Sequence, residues 1–185
     1  MNHNFNSLEE KKISSTEYFR NAFLHVTEDD VTLPNEEITQ RVVIHHPGGV
    51  NLIALDEKKR LILVEQYRYC IGMPLIETPA GKSEPGEENI ITAARELEEE
   101  TGYRAQNLVS LGRFTASPGY STEYIENFLA TGLVPLEEKI QGDADEFLNL
   151  YHVTKAEAWE WVADGRIQDF KTVYAVQYLT MNGLW

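Results

Sequence analysis

The chain has 185 residues, 42% of them hydrophobic and 25% charged. That length and composition suit one domain with an ordinary buried core and exclude general disorder. Thirty acidic residues against sixteen basic ones leave a net charge of −14, which argues against a nucleic-acid backbone or an anionic membrane as the main partner. No apolar run approaches transmembrane length, and the first twelve residues, MNHNFNSLEEKK, lack a signal-peptide core. Cys70 is the only cysteine, so no internal disulfide forms and a reducing, cytoplasmic setting is expected. A small, half-buried residue is the expectation for Cys70.

In chain order, Ser14 to about Leu33 predicts one or two strands with a turn at Glu28-Asp29-Asp30, and Pro34-Asn35 then breaks the chain. The β-branched run Ile38 to His45 predicts a strand. Pro47-Gly48-Gly49 turns it into a second run, Val50 to Leu55. Asp56 to Lys59 predicts a hairpin turn and Leu61 to Tyr69 another strand. A breaker-rich run from Pro79 through Pro85-Gly86 follows, and then a helix from Glu87 to Thr101, stopped by Gly102. On that helix Ile90, Ala94, Leu97 and Thr101 share one side. Glu96, Glu99 and Glu100 project from the other at spacings of three and four.

Strands are expected at Leu108–Ala116 and Tyr124–Ala130, around the loop Ser117-Pro118-Gly119-Tyr120. An acidic loop, Glu137 to Glu146, precedes a short strand, Phe147–Val153. Thr154 is a plausible N-cap for a helix that Gly165 would stop. Phe170, Val173, Val176 and Leu179 then give the tail a helical spacing. Trp159, Trp161 and Trp185 are read as core or interface residues. His45 and His46 have no second His or Cys pair at ligand spacing, so a structural role is expected rather than zinc. The pattern as a whole predicts an α/β fold, a mixed sheet flanked by helices.

Three carboxylates on one helix face repel one another unless a counterion joins them, and hard oxygen ligands in that arrangement suit Mg²⁺ or Mn²⁺. A glutamate-rich face alone is usually solvated surface. The surrounding positions decide otherwise. Gly81, five residues, Glu87, seven residues, then Arg95-Glu96-Leu97-x-Glu99-Glu100-x-Gly102-Tyr103 resembles the signature of the Nudix hydrolases at every fixed position.

The resemblance implies a Nudix α/β/α sandwich over residues 41–185, with residues 1–40 as an extra N-terminal β-element too short to bury a core alone. It implies Glu96 and Glu100 as metal ligands, Glu99 as a ligand to a second metal or through water, and the Ala80 carbonyl as a further ligand. Arg95 and Glu87 would hold the loop and helix in register. Mg²⁺ is the expected cofactor, with Mn²⁺ an alternative.

Three features outside the box resemble the ADP-ribose pyrophosphatase branch of the family. Glu65-Gln66-Tyr67-Arg68 is followed by Glu77-Thr78-Pro79-Ala80-Gly81, so Arg68 and Glu77 are expected at the substrate, Arg68 because its fork suits a diphosphate. Pro118 falls fifteen residues after Tyr103, where ADP-ribose hydrolases carry a proline. The acidic run Asp143-Ala144-Asp145-Glu146 would supply a general base, Glu146 before Asp145. Relatives exchange N-terminal strands across a two-fold dimer, so a homodimer is expected. Some relatives stack the base on an early Trp that this chain lacks; Tyr18, Phe19 or Phe23 would take its place.

The expected activity is metal-dependent hydrolysis of ADP-ribose to AMP and ribose 5-phosphate. Hydrolysis of another nucleoside diphosphate sugar, such as a GDP- or UDP-sugar, is the alternative within the class. A non-catalytic Nudix module that binds such a ligand is the alternative outside it.

Overall fold

The computed structural model describes residues 8–138, 140 and 147–185. Two compact units divide them: one runs to Gly48 and includes Thr115–Tyr124, and the other holds Gly49–Phe114 and Ile125–Trp185.

The first unit is built on an antiparallel sheet of β1 (Lys11–Arg20), β2 (His25–Thr32) and β3 (Ile38–His45), in that order. The turn expected at Glu28–Asp30 is not there; those acids lie in the middle of β2. The chain reverses instead at Asn21, whose side-chain oxygen accepts the backbone N–H groups of Phe23 and Leu24 at 2.9 and 2.6 Å, an Asx turn. The acids stay in strand because each finds a cross-strand donor. Ser14 Oγ donates to Asp30 at 2.6 Å, and Lys12 Nζ reaches Asp29 at 2.8 Å. A second break comes where predicted, at residues 33–37, with Glu36 at φ 69°.

The hydrogen bond from Lys12, then that from Ser15, holds the buried Asp29 carboxyl at about 2. A carboxyl depressed on folding adds stability above its unfolded value near 4, and that stability is lost as pH falls toward 2. Asp29→Asn is therefore expected to flatten the acid limb of thermal stability between about pH 4 and 2. Parallel limbs for variant and wild type would contradict this.

The second unit contains β4 (Gly49–Ala54), β5 (Leu61–Arg68), β6 (Met73–Glu77), β7 (Ala80–Lys82), α1 (Asn89–Thr101), β8 (Tyr103–Thr115), β9 (Tyr124–Pro135), β10 (Asn149–Val153), α2 (Lys155–Ala163) and α3 (Phe170–Met181). One sheet has the order β7-β4-β9-β8 and the other β10-β5-β6. The first is mixed: β4 runs parallel to β9 and antiparallel to β7. The turn at Asp56 forms, its carboxylate accepting from the Lys58 and Arg60 N–H groups at 2.9 Å each. It does not close a full hairpin, because β4 and β5 enter different sheets and share only the Leu55–Leu61 bridge.

Successive residues of a strand face opposite sides, and β4 and β5 are apolar on both. Val50, Leu52, Ala54 and Ile62 pack with Ala93 and Leu97 of α1 and with Phe128 and Ala130 of β9. Ile53, Leu55, Leu61 and Leu63 pack with Val153, Ala158, Ala175, Val176 and Leu179, under α2 and α3. Two cores on opposite faces, each closed by helix, make the expected α/β/α sandwich.

Helix α1 starts two residues later than predicted and ends as predicted, with Gly102 left-handed at φ 72°. Its buried face is rotated from the expected one. Thr92, Ala93, Leu97, Glu100 and Thr101 are buried, while Ile90 is exposed, because Glu100 is drawn inward by strand backbone. Thr154 caps α2 in a reciprocal pair with Glu157, and Asp169 caps α3. In α3, Thr172 and Ala175 are buried and the predicted Phe170 is exposed. Trp161 and Trp185 pack against the core, whereas Trp159 is exposed and donates to Thr180 at 3.0 Å. Cys70 is exposed, not half-buried: it sits at the tip between β5 and β6. Among the described residues no helix is long and apolar enough to cross a membrane.

Candidate active site

The acidic helix meets the chain at β7. Ala80 pairs with Asn51 in the β4–β7 ladder, and its N–H donates to Glu100 Oε2 at 3.1 Å. The next residue explains the glycine of the motif. A Cβ at Gly81 would stand inside the Glu96 carboxylate, so any other residue would push Glu96 off the strand.

Arg95 joins the remaining acids. Its Nη1 lies 2.9 Å from Glu96 and 3.0 Å from Glu99, and its Nη2 3.6 Å from Glu87. Burial works against the guanidinium charge, but Glu96 and Glu99 outweigh it and hold its pKa above the ordinary value. Glu87 also accepts from Thr92 Oγ1 at 2.7 Å, which ties the loop to the helix. At the first residue of α1, Asn89 accepts from the loop residue Ser83 at 2.9 Å and donates to Glu126 at 2.9 Å.

The structure thus brings together Ala80, Glu87, Arg95, Glu96, Glu99 and Glu100. Among the described residues no three acids, histidines or cysteines converge as a ready-made metal cluster; Arg95 and the Ala80 N–H engage these carboxylates instead. The donor set nonetheless suits a hard divalent ion, being carboxylates beside a backbone carbonyl. The glycine cradle sets one carboxylate against that backbone.

Arg68 is partly exposed, but its head is held. Its Nε and Nη2 form a fork on Glu77 at 2.6 and 2.9 Å, and the Glu77 side chain is only 4% exposed. Hydrogen bonding to Glu77 raises the Arg68 pKa above its ordinary value, with smaller contributions from the charges of Glu100 and Asp169. The Glu77 fork uses one bidentate edge of the guanidinium and leaves the Nη1/Nη2 edge with the geometry that binds phosphate.

Sequence reasoning missed the partner on the other side of Glu77. Lys171 Nζ lies 3.3 Å from Glu77 and 2.6 Å from Asp169. It also missed Asn51, Thr78 and Thr172, all buried and hydrogen-bonded to one another. A signal was present for Asn51, a polar residue inside an otherwise apolar strand.

Tyr18 and Pro118 belong to the first unit. Tyr18 is exposed on β1, its hydroxyl 3.3 Å from Glu28. Pro118 lies in a turn closed by the Ser121 N–H on the Ser117 carbonyl at 2.9 Å. Of the other stacking candidates, Phe19 is exposed and Phe23 meets His46 edge-on with ring centroids 5.4 Å apart. Asp145 and Glu146 lie outside the described residues.

An α/β/α sandwich with an acidic helix docked on a glycine strand is the arrangement that the Nudix signature in the sequence predicts. Residues 45–175 match the NUDIX domain. The chain belongs to the Nudix family and is a Nudix pyrophosphatase. It is 42% identical over 176 residues, 95% of each chain, to the ADP-ribose pyrophosphatase of Bacillus subtilis (strain 168). It is equally 42% identical over 174 residues, 94% of each chain, to the methanol dehydrogenase activator of Bacillus methanolicus. A GDP-mannose pyrophosphatase of Escherichia coli is 30% identical over 188 residues, 96% of each chain. Among solved structures, an ADP compounds hydrolase superposes with a TM-score of 0.79, covering 96% of this chain and 98% of its own at 23% identity, a likeness of fold. Nudix hydrolases generally use divalent metals.

The Gly81 cradle makes a direct prediction. Gly81→Ala should leave the thermal midpoint near wild type and lower diphosphate hydrolysis roughly a hundredfold, the scale of a displacement of about 1 Å at a reacting centre. Near-wild-type turnover would show that Glu96 need not lie against the strand.

Proposed function

We propose that this protein hydrolyses the diphosphate bond of ADP-ribose to AMP and ribose 5-phosphate with Mg²⁺, or Mn²⁺ in its place. The observation that carries the reading is the docking of Glu96 and Glu100 on the Ala80–Gly81 backbone, within one unit with the forked Arg68. The 42% identity to an ADP-ribose pyrophosphatase over 95% of each chain supports the substrate.

In this reading Glu96, Glu100 and the Ala80 carbonyl hold the metal, with Glu99 at a second ion or acting through water. The bound cation would neutralise diphosphate oxygens and acidify a water. Arg68 presents its outer edge to the diphosphate, and Glu77 fixes that edge from behind. Arg95 keeps the helix acids in register. Glu146, or failing it Asp145, takes the proton of the attacking water. Tyr18 stacks on the base, and Pro118 shapes a loop at the substrate.

Residues 1–40 act as a dimerisation element in the same proposal. Exposed Ile13, Tyr18 and Phe19 on β1 and Ile38 on β3 are surface that a second copy would cover. The exposed lone Cys70 suits a reducing cytoplasm. A GDP- or UDP-sugar is the second reading, favoured by the GDP-mannose pyrophosphatase relative. A binding module without catalysis is disfavoured, because the box keeps Glu96, Glu99 and Glu100.

Product analysis with Mg²⁺ on ADP-ribose, UDP-glucose, GDP-mannose, NADH and a diadenosine polyphosphate tests the proposal. Preferred cleavage of ADP-ribose, giving AMP, is expected. Preference for another sugar nucleotide would replace the substrate and keep the mechanism, and binding without cleavage would favour the module. Glu100→Gln should abolish metal-dependent turnover in a folded protein. Glu146→Gln should lower kcat by about 10²-fold or more with little change in metal affinity; unchanged turnover would move the base to Asp145 or Asp143.

A further inference from the structure

The turn that carries Ala80 is tied to the rest of its unit by buried polar side chains that the proposed chemistry does not use. Asn51 stands in β4 between Val50 and Leu52, at 0% exposure. Its backbone pairs with Ala80. Its side-chain amide donates to Asn127 at 2.8 Å, and its oxygen accepts the Thr78 hydroxyl at 2.6 Å. The Thr78 N–H donates to Thr172 Oγ1 at 2.8 Å. That hydroxyl donates to Asp169 at 2.8 Å, and Asp169 also accepts the Thr172 N–H at 3.0 Å. Thr78 and Thr172 are 1% and 0% exposed.

Apolar residues could fill these positions without the cost of burying polar atoms. A satisfied polar chain contributes direction instead, since each bond accepts only a narrow range of geometry. Among the described residues no buried side-chain nitrogen or oxygen lacks a partner, so the chain is complete. It approaches Ala80 from two sides of sequence: through Asn51, its ladder partner, and through Thr78, two residues before it.

We infer that Thr172, with Thr78 and Asn51, is a positioning residue. From α3, Thr172 fixes the turn between β6 and β7, so that the Ala80 backbone and Gly81 meet the acids of α1 in register for a divalent ion. The inference rests on the metal reading given above and extends it to a helix with no residue in the box.

Thr172→Val keeps the shape of the side chain, removes the hydroxyl, and leaves the Thr78 N–H without its acceptor. Mn²⁺ binding, followed by electron paramagnetic resonance or calorimetry in the absence of substrate, is expected to weaken about tenfold, and Thr172→Ser to restore it. A folded Thr172→Val with wild-type Mn²⁺ affinity overturns the inference, even if its thermal midpoint falls. Should Thr172→Val not fold, Thr78→Val removes the bond to Asn51 and the 3.4 Å contact between the two threonine hydroxyls, keeps the Thr78 N–H on Thr172, and is judged by the same titration. Wild-type protein that binds no Mn²⁺ overturns the metal reading itself, a result distinct from a variant that binds as tightly as wild type.

Discussion

The site depends on one close approach, the Glu96 carboxylate of α1 lying where a side chain at residue 81 would begin. Only glycine permits it, and the consequences spread outward. The strand backbone can hydrogen-bond Glu100 at 3.1 Å through Ala80, which pulls that glutamate to 7% exposure. The buried face of α1 rotates to accommodate it. Leu97 and Ala93 fall on the β4–β9 core, so apolar packing anchors the helix while the glycine contact sets where the Glu96 carboxylate lies.

Electrostatics poses the second constraint. A chain of net charge −14 that crowds glutamates on one helix is stabilised by local cations. Arg95 serves three of them from within the helix and its entry loop. Arg68 and Lys171 do the same for the nearly buried Glu77. Each cation is thereby oriented by the acids it neutralises. These positive charges are thus held on side chains with fixed directions, in a protein whose general field opposes an anionic ligand.

Much of this was legible in the sequence where a feature is local. The box, the Gly102 stop and the Thr154 cap follow from spacing and residue type. What was misread depends on partners distant in the chain. Glu28, Asp29 and Asp30 resemble a turn until Lys12 and Ser14 are seen across the ladder. Ile90 looked like core because helical periodicity alone cannot tell that Glu100 turns inward. Lys171 was invisible as a neighbour of Glu77, 94 positions away. The short strands β6 and β7 were hidden by the prolines and glycines between them, which mark breaks and say nothing of the three- to five-residue ladders they separate.

The polar chain through Thr78 and Thr172 also spans 94 positions. During synthesis at about 5–20 residues per second, the turn bearing Ala80 leaves the ribosome roughly 5–20 s before the threonine that braces it. The acidic helix is made early in that interval, close behind its strand. For that interval the nascent protein holds its signature residues without the element that sets their register, so competence arrives with α3 and not with the motif.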